Sequence, residues 1–291
     1  MNEIITRAPS DNEIPALKKM WNTVFGSVGI ESFFRHFFDA DLCVIAEGTD
    51  SPAAMGYLLP VGDFFWDTKA YRCAMIYSVA TLPAYRARGL ATAVTGSLIS
   101  LARELAYPAV LLCPSDDKLF DYYKAHTKLR EWFYVSELVV KKTSANTDIE
   151  PPTEITANVY HLLREELLKG VVHVKQDLHI FEYQAELCKE LGGGLFRVGD
   201  AIAVVERQVD GRVWIKELLL PDGEAAAFKS GYDITGIIAS IASRFPACEY
   251  TIRSPAPIGK RRRFGMISFP DDTLIFSSGN ELKPWFGMAF D

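Results

Sequence analysis

One stretch of sequence decides the predicted fold: Val79-Ala80-Thr81-Leu82-Pro83-Ala84-Tyr85-Arg86-Ala87-Arg88-Gly89-Leu90-Ala91-Thr92. It runs from an apolar strand, through a turn that contains proline, into a long helix predicted over Leu90–Ala106. The first turn of a helix presents backbone N–H groups without intrahelical partners, together with a partial positive charge. The small side chains of Gly89 and Ala91 would let a diphosphate reach those amides. Arg86 and Arg88 would add charge-assisted hydrogen bonds to its oxygens. The stretch therefore predicts a diphosphate-binding loop, although it contains neither the G-x-G-x-x-G pattern nor a P-loop.

Strand-like and helix-like patterns alternate on both sides of this loop. A polar turn over residues 48–52 separates two strands that precede it. After the loop, the five apolar residues of Ala109–Cys113 suit a strand that is covered on both faces. The strands predicted in the first half are Glu3–Ala8, Leu42–Ala46, Ala53–Pro60, Met75–Ala80, Ala109–Cys113 and Trp132–Val140.

The composition changes after the last of these strands. Lys141–Glu150 is polar and Pro151-Pro152 follows it, which is typical of a linker. Beyond the linker the same order of elements begins again, so we predict two structurally similar domains, residues 1–146 and 153–291. The elements predicted in the second half are helices Val159–Lys169, Phe181–Leu191 and Ala225–Phe245, and strands Leu195–Arg197, Ala201–Glu206, Val213–Leu220 and Glu249–Arg253.

The loop sequence resembles the GNAT superfamily of N-acetyltransferases. Their motif, Arg/Gln-x-x-Gly-x-Gly/Ala after a strand, is matched by Arg86, Gly89 and Ala91. The resemblance implies an α/β protein with two GNAT-like domains, each a mixed, mostly antiparallel twisted sheet flanked by helices. Residues 1–146 would be the catalytic acetyltransferase domain, and residues 153–291 a degenerate second domain. In outline the chain is similar to the "enhanced intracellular survival" acetyltransferases, which also have tandem domains of this kind.

The resemblance also implies a binding site for acetyl-CoA as the co-substrate. Main-chain groups at the end of the strand would pair with the pantetheine arm as an added strand would, and these belong to Val79, Ala80 and Thr81. Arg86 and the amides of the loop and first helical turn would hold the diphosphate, and these amides belong to Ala87, Arg88, Gly89, Leu90, Ala91 and Thr92.

A second signal follows the buried strand, in residues 115–124. Members of the superfamily carry a tyrosine here that lies near the coenzyme sulfur, and Tyr123 is the residue that aligns with it. A phenol with a pKa near ~10 can protonate the departing thiolate at neutral pH, so the resemblance implies that Tyr123 is the general acid. The alternative is that Tyr122 and Tyr123 are packing residues of a helix. Thr127-Lys128 stands where the family pattern has Gly-Phe, so the pattern does not fix the residue at which this helix ends.

The general base has no evident candidate in the sequence. Glu47, Asp63 and Asp67 lie near the ends of neighbouring strands, and each also reads as a surface charge. In the "enhanced intracellular survival" group the terminal carboxylate enters the active site, which makes Asp291 a candidate catalytic residue. Its apolar neighbours also allow docking as ordinary core.

Two features distinguish the predicted second domain. Val213–Leu220 leads into Pro221-Asp222-Gly223-Glu224, an acidic turn that would repel a diphosphate, so we predict that this domain does not bind coenzyme. The basic run Lys260–Arg263 is interpreted as a solvated loop, with a site for an anionic substrate group as the alternative.

Composition narrows the class of protein further. The 291 residues are 49% hydrophobic and carry a net charge of -6, which predicts a sizeable core and argues against a nucleic-acid partner. No apolar run approaches the ~18–20 residues of a membrane span, and no signal peptide is evident, so we expect a cytoplasmic protein with no membrane partner. His173 and His179 lack the spacing of a zinc site, so no metal is expected.

These observations predict direct transfer of an acetyl group to a primary amine of a small molecule or peptide within a ternary complex. One alternative is a non-catalytic protein that binds acyl-CoA as a sensor or recruits a partner. Another is a tandem-domain aminoacyltransferase of the peptidoglycan type. Aminoglycosides, polyamines, amino acids and protein N-termini all remain open as acceptors, and so does a homo-oligomeric assembly.

Overall fold

The structure, a computed structural model, describes residues 4–49, 51–66, 69–141, 150–221, 234–270 and 284–290. These residues divide into two compact units. Unit 1 contains residues 4–132 and 264–270, and unit 2 contains residues 133–263 and 284–290.

This division differs from the predicted boundaries at residues 146 and 153. The break falls after Trp132, inside a strand, because the strand residues that follow it pair with a strand of unit 2. Residues 264–268 return to unit 1 because they pair with its last parallel strand. The catalytic and degenerate roles assigned to the two halves stay predictions.

Unit 1 contains a six-stranded sheet in the order β1-β2-β3-β4-β5-β13. All neighbouring strands are antiparallel except β4 and β5, which are parallel. The strands are β1 (Thr6–Arg7), β2 (Cys43–Glu47), β3 (Pro52–Trp66), β4 (Lys69–Thr81), β5 (Ala109–Leu112) and the end of β13 (Lys260–Ser268). The helices are α1 (Ile14–Phe25), α2 (Ile30–His36), α3 (Leu90–Glu104) and α4 (Asp117–His126), with short 3-10 turns at Asp11–Glu13, Ala40–Leu42 and Pro83–Tyr85.

Helix α3 packs on one face of this sheet through apolar residues at helical spacing. Val94 and Leu98 are fully buried against strands β2, β3 and β4. A Cβ at Gly56 of β3 would lie 3.0 Å or less from both side chains, so glycine is required for this close approach. Helices α1 and α2 contact the opposite face, where Trp21 and Phe33 pack on β3 and β4.

Unit 2 contains a sheet in the order β7-β9-β10-β11-β12-β6. Its neighbouring strands are antiparallel except β11 and β12, which are parallel. The strands are β6 (Arg130–Lys141), β7 (Thr153–Glu154), β8 (Val174–Lys175), β9 (Gly194–Val198), β10 (Ala201–Arg207), β11 (Val213–Leu219) and β12 (Glu249–Ser254). The helices are α5 (Ala157–Leu167), α6 (Leu178–Glu190) and α7 (Ile234–Arg244).

Among the described residues, the two sheets share one strand pattern: four successive antiparallel strands, then one parallel neighbour, then one antiparallel strand. The predicted α/β fold, with mixed, mostly antiparallel sheets flanked by helices, is confirmed. The similarity of the two halves was visible in the sequence only as an order of elements. The pairing adds that the parallel neighbour occupies the same place in both sheets.

Two sequence predictions need correction. Lys260–Arg263 is not a loop, because these residues begin strand β13. Their charges are accommodated along the strand: the Arg261 guanidinium lies 3.9 Å from the centre of the Tyr134 ring, and Arg262 pairs with Glu137 at 3.6 Å. The hairpin β3–β4 is also much longer than predicted, since it pairs from Ala54 with Thr81 out to Trp66 with Lys69. The first part of the helix predicted over Ala225–Phe245 lies outside the described residues.

Candidate functional site

The end of strand β4 separates from its parallel neighbour. The ladder between β4 and β5 stops at Ile76 and Leu112, whereas β4 continues to Thr81. A β-bulge lies immediately after the last pair, where Ser78 and Val79 together oppose Gly56 of β3. Ser78 has φ +49°, a left-handed conformation that costs a residue with a side chain about 1–2 kcal/mol. The bulge thus marks the place where the edge of β4 becomes available for another partner.

Backbone direction at this edge can be assigned from one hydrogen bond. Leu82 N donates to Ala53 O of β3 at 3.0 Å. Because backbone groups alternate along an extended strand, the amide and carbonyl of the preceding Thr81 face away from β3. Arg86 Nε donates to Thr81 O at 3.3 Å, so the Arg86 guanidinium lies at the open edge of β4.

The loop that follows contains two left-handed residues, Ala87 with φ +60° and Gly89 with φ +80°. Alternation of such residues turns successive N–H groups toward one side and makes an anion-binding concavity. Arg88 steadies the loop, because its Nη2 donates to Ala84 O at 2.9 Å and its guanidinium lies 5.2 Å from the centre of the Tyr85 ring. Both arginines are exposed; Arg88 bonds a carbonyl of the loop, and Arg86 bonds the carbonyl of Thr81 at the end of β4.

Helix α3 begins directly after Gly89. Its first bond joins Ala93 N to Gly89 O at 3.0 Å, so the amides of Leu90, Ala91 and Thr92 have no acceptor within the helix. These amides and the positive end of the 15-residue helix face the exposed loop. A diphosphate fits this arrangement because it needs several N–H donors, a positive field and no obstructing side chain. A Cβ at Gly89 would contact only a carbon of Ile4, at 3.6 Å.

Tyr123 lies in the core between α3 and α4. It is only 6% exposed and packs among the buried residues beneath α3. Burial raises the pKa of Tyr123 above its ordinary value, the neighbouring Tyr122 adds to this, and the nearby Thr95 side chain opposes it. The phenol is therefore protonated at neutral pH, as a proton donor must be.

Tyr122 is the tyrosine that reaches the start of α3. Its hydroxyl lies 2.6 Å from Thr92 Oγ1, and its ring packs on His126 at 4.7 Å between centres. The sequence does not predict this contact, because Tyr122 and Thr92 are thirty residues apart. The neighbouring tyrosines Tyr122 and Tyr123 also give no local signal of which one faces the loop. The helix ends at His126, where Thr127 takes the place of the family glycine. Thr127 caps the helix with its amide and its hydroxyl, both donating to Tyr123 O, at 2.9 and 2.6 Å.

Of the four candidate bases, one is held in an ion pair, one lies far from the bulge of β4, and two lie outside the described residues. Glu47 accepts a hydrogen bond from Arg7 Nε at 2.7 Å, in an exposed ion pair. Asp63 pairs in register with Arg72, which lies six positions before Ser78 of the bulge, about 20 Å along the strand. Asp67 and Asp291 lie outside the described residues.

The corresponding place in unit 2 is occupied by buried charges. The ladder between β11 and β12 stops at Ile215 and Ile252, and a bulge at Lys216 follows. Lys216 lies 3.5 Å from Glu206, and both side chains are less than a tenth exposed. Of the acidic turn predicted after this strand, residues 222–224 lie outside the described residues.

The residue after that bulge, Glu217, is fully buried and accepts three kinds of donor. Tyr160 OH bonds its carboxylate at 2.8 Å, Trp285 Nε1 at 2.6 Å, and Arg164 Nε at 3.2 Å. Arg164 also donates to Phe286 O at 3.3 Å, which fixes residues 284–290 in unit 2. The end of β11 in unit 2 corresponds to the open end of β4 in unit 1. This end of β11 is thus bordered by a network of the protein's own side chains. The prediction that unit 2 binds no coenzyme stays untested.

Two broader expectations concern metals and membranes. Among the residues that the structure describes, no group of three or more His, Cys, Asp or Glu side chains could hold a metal ion. Within the same residues, no helix is both long and apolar enough to cross a membrane.

Comparisons with known proteins agree with this geometry. Residues 6–125 match the family model described as an acetyltransferase (GNAT) domain. The fold is similar to that of a GCN5-related N-acetyltransferase from Kribbella flavida, with a TM-score of 0.62 at 12% identity over 92% of this chain and 72% of that one. A GCN5-related N-acetyltransferase from Anabaena variabilis gives 0.63 at 14% identity over 92% and 73%. Eis1 from Mycobacterium abscessus gives 0.57 at 8% identity over 93% and 74%. No curated protein matches the sequence.

The structural similarities, at such low identity, speak for the fold alone. The family model matches the segment that contains the loop, residues 6–125. Together they confirm the resemblance to the GNAT superfamily that the sequence predicted, and the similarity to Eis1 supports the tandem outline.

Proposed function

We propose that the GNAT domain at residues 6–125 is an acyltransferase that moves an acetyl group from acetyl-CoA to a primary amine. One observation carries the proposal. The bulge at Ser78 leaves the end of β4 without a β5 partner, and the left-handed loop from Ala87 to Gly89 then leads into the N-terminus of α3. This juxtaposition suits a ligand that is an extended amide-containing arm at one end and a diphosphate at the other.

Each part of the site has a proposed role in holding that ligand. The outward main-chain groups of Thr81, with those of Val79 and Ala80 beside the bulge, would pair with the amides of the pantetheine arm. Backbone amides from Ala87 to Thr92 would hold the diphosphate. Arg86 and Arg88 would exchange their loop carbonyls for phosphate oxygens, which are stronger acceptors because they are charged.

The transfer itself is proposed to be direct. The amine nitrogen attacks the thioester carbonyl carbon, the C–N bond forms, and the C–S bond breaks. A backbone N–H beside the bulge would polarise the carbonyl oxygen. Tyr123 would donate its proton to the departing thiolate, and would recover a proton from the acetylated ammonium through water. The reaction thus yields an amide and a free thiol.

A second candidate function is an acyl-CoA-binding protein without turnover. The burial of Tyr123 favours it, since a side chain packed inside the core must reorient to reach a thiolate. Binding of acetyl-CoA without release of free thiol from any amine would decide for this alternative.

The first experiment is isothermal titration with acetyl-CoA. The intact protein is expected to bind in the micromolar range, and Arg88→Glu and Gly89→Asp are expected to abolish binding. Lys189→Glu is the matched control for Arg88→Glu, because Lys189 is exposed on α6 and both substitutions change the net charge by the same amount. Failure of the intact protein to bind acetyl-CoA would overturn the proposal.

A second experiment tests the proton donor. Tyr123→Phe should lower kcat about tenfold or more without weakening acetyl-CoA binding. Tyr122→Phe is the matched variant, and it should weaken acetyl-CoA binding because it releases Thr92 at the start of α3. Equal kcat in the Tyr123→Phe and unaltered proteins would remove Tyr123 from the mechanism.

A further inference from the structure

Residues 249–263 of unit 2 concentrate positive charge in a protein that is acidic as a whole. This segment contains five cations and one carboxylate, whereas the whole chain carries a net charge of -6. Four of the cations are consecutive and begin strand β13, and the fifth is Arg253 of β12. Three of the four are exposed and are called the cationic strand surface below: Lys260, Arg261 and Arg262.

The backbone that carries this surface is fixed within unit 2. The connection from β12, residues 255–259, contains two prolines, which restrict the backbone. Ala256 N donates to Ser254 Oγ at 3.1 Å, and Gly259 N donates to Ser136 Oγ of the neighbouring strand β6 at 2.8 Å. The start of β13 is therefore already ordered, and a partner that binds there would lose little free energy to ordering of this backbone.

Arg261 presents a guanidinium that is held in place and open to an acceptor. The guanidinium carbon lies 3.9 Å from the centre of the Tyr134 ring. Among the residues that the structure describes, the Arg261 side chain has no ion pair and no hydrogen-bond acceptor, and the Lys260 side chain has none either. The N–H fork of a guanidinium matches a carboxylate, which can accept two parallel hydrogen bonds from it.

The carboxylates of the same strands do not balance these charges. Glu137 of β6 lies 3.6 Å from Arg262 Nε and also 3.6 Å from Arg253 Nε, so one carboxylate serves two cations. Both distances are too long for hydrogen bonds, and the Arg262 side chain is 56% exposed. The other carboxylate, Glu249, lies 3.5 Å from Arg212. The cationic strand surface thus keeps positive charge that is available to a partner.

The spacing of the cations and the net charge of the protein indicate the kind of partner. Side chains two residues apart on a strand emerge on the same face, so Lys260 and Arg262 are about 6.7 Å apart along β13. Alternate carboxylates of an extended acidic peptide recur at about the same spacing. The phosphates of a nucleic acid could match it too, but a net charge of -6 disfavours a long polyanion, which is attracted by positive charge over a wide area.

We infer that the cationic strand surface is a docking surface for an acidic segment of a partner polypeptide. Arg261 and Arg262 each bind a carboxylate of that segment, and Lys260 adds a third positive charge. Exposed charge pairs contribute little individually and are screened by salt, so the complex is expected to be weak, rapidly formed and sensitive to salt. The inference concerns unit 2 and does not depend on the proposed acetyl transfer.

The test is titration of the intact protein with a fluorescent ten-residue peptide of alternating Glu and Ala, read by fluorescence anisotropy. The peptide should bind at low salt, and its Kd should rise at least ~tenfold in ~0.3 M NaCl, because salt screens exposed charges. The double variant Arg261→Gln with Arg262→Gln should weaken binding about tenfold. The matched control is Lys169→Gln with Arg197→Gln, because it removes two exposed cations of unit 2 that already pair with neighbouring carboxylates. The control should bind the peptide as the unaltered protein does.

A second measurement locates the binding site. Carbodiimide joins a carboxylate directly to a lysine that lies against it, so the peptide should become attached to Lys260 in preference to other lysines, as read by mass spectrometry. An oligonucleotide with the same number of charges and vesicles of phosphatidylserine serve as alternative ligands. The inference would be overturned by attachment at other lysines, by equal loss of binding in the two double variants, by no binding of the acidic peptide at low salt, or by tighter binding of the oligonucleotide or the vesicles.

Discussion

Replacement of Arg164 by methionine is expected to destabilise the protein by about 3–5 kcal/mol, because it leaves the Glu217 carboxylate buried without its cation. Arg164 and Glu217 are both fully buried in unit 2. After the substitution, Tyr160 OH and Trp285 Nε1 would still donate to the carboxylate. The guanidinium charge would be lost.

The same substitution removes donors from main-chain carbonyls. Arg164 Nη1 donates to Val174 O at 3.2 Å and Nη2 to Phe286 O at 3.3 Å. Each buried acceptor that loses its donor costs about 1–3 kcal/mol, so these two bonds alone place the expected loss well above that of an ordinary surface change. Methionine can fill part of the volume, which keeps the loss of packing small.

Urea unfolding at pH 7 measures the effect. The variants can be compared when the dependence of the unfolding free energy on urea concentration has the same slope in each. The control is Arg197→Met, because Arg197 forms an exposed ion pair with Asp200 at 3.7 Å that should be worth less than about 1 kcal/mol. The double variant Arg164→Met with Glu217→Leu should recover much of the loss, since it removes both charges. A single variant within 1 kcal/mol of the unaltered protein, or a double variant whose loss equals the sum of the two single losses, would refute the reasoning.

The remaining predictions concern the loop and an exposed ion pair. Gly89→Ala should lower the free energy of unfolding by about 1–2 kcal/mol and weaken acetyl-CoA binding, because φ at Gly89 is +80°. Ala87→Gly should stabilise the loop, because φ at Ala87 is +60°, which glycine adopts without strain. Urea unfolding and titration calorimetry check both, and a stabilising Gly89→Ala would contradict the strain argument. The hydrogen bonds from Arg7 lower the pKa of Glu13 from 4.5 to about 2. Because the folded-state pKa is the lower one, the stabilisation is present above pH 4.5 and is lost as pH falls toward 2. Because the ion pair is partly exposed, its stabilisation is limited to about 1 kcal/mol. The difference in unfolding free energy between the unaltered protein and Glu13→Gln should therefore shrink by that amount between pH 5 and pH 2.5. An unchanged difference would contradict the role given to this pair.

The sequence predicts the order of elements well because hydrophobic periodicity is a local property. The strand before the loop, helix α3 and the buried strand β5 all lie where their apolar patterns place them. The motif that contains Gly89 also predicts the loop, since a left-handed glycine before a helix is a local requirement.

What the sequence does not predict depends on contacts between distant residues. Ser78 has no feature that marks a left-handed residue, because the bulge arises from register with Gly56. Arg164 and Glu217 read as ordinary surface charges, yet they are 53 residues apart and pair in the core. Charged runs are usually solvated, so the sequence predicts a loop where strand β13 begins at Lys260. The candidate site shows the same limit, since Tyr122 meets Thr92 only through the packing of two helices.

The pairing of β13 with β5 affects how the protein folds during its synthesis on the ribosome. Met266, Ile267 and Ser268 pair with Leu112, Leu111 and Val110, so the sheet of unit 1 is completed by residues made about 150 positions after β5. At synthesis rates of ~5–20 residues per second, the apolar edge of β5 stays unpaired for roughly 8–31 seconds. Unprotected strand edges invite pairing with other chains. A nascent chain of this protein is therefore a natural client for a chaperone during that interval, and a fragment that ends near residue 146 keeps the exposed edge permanently.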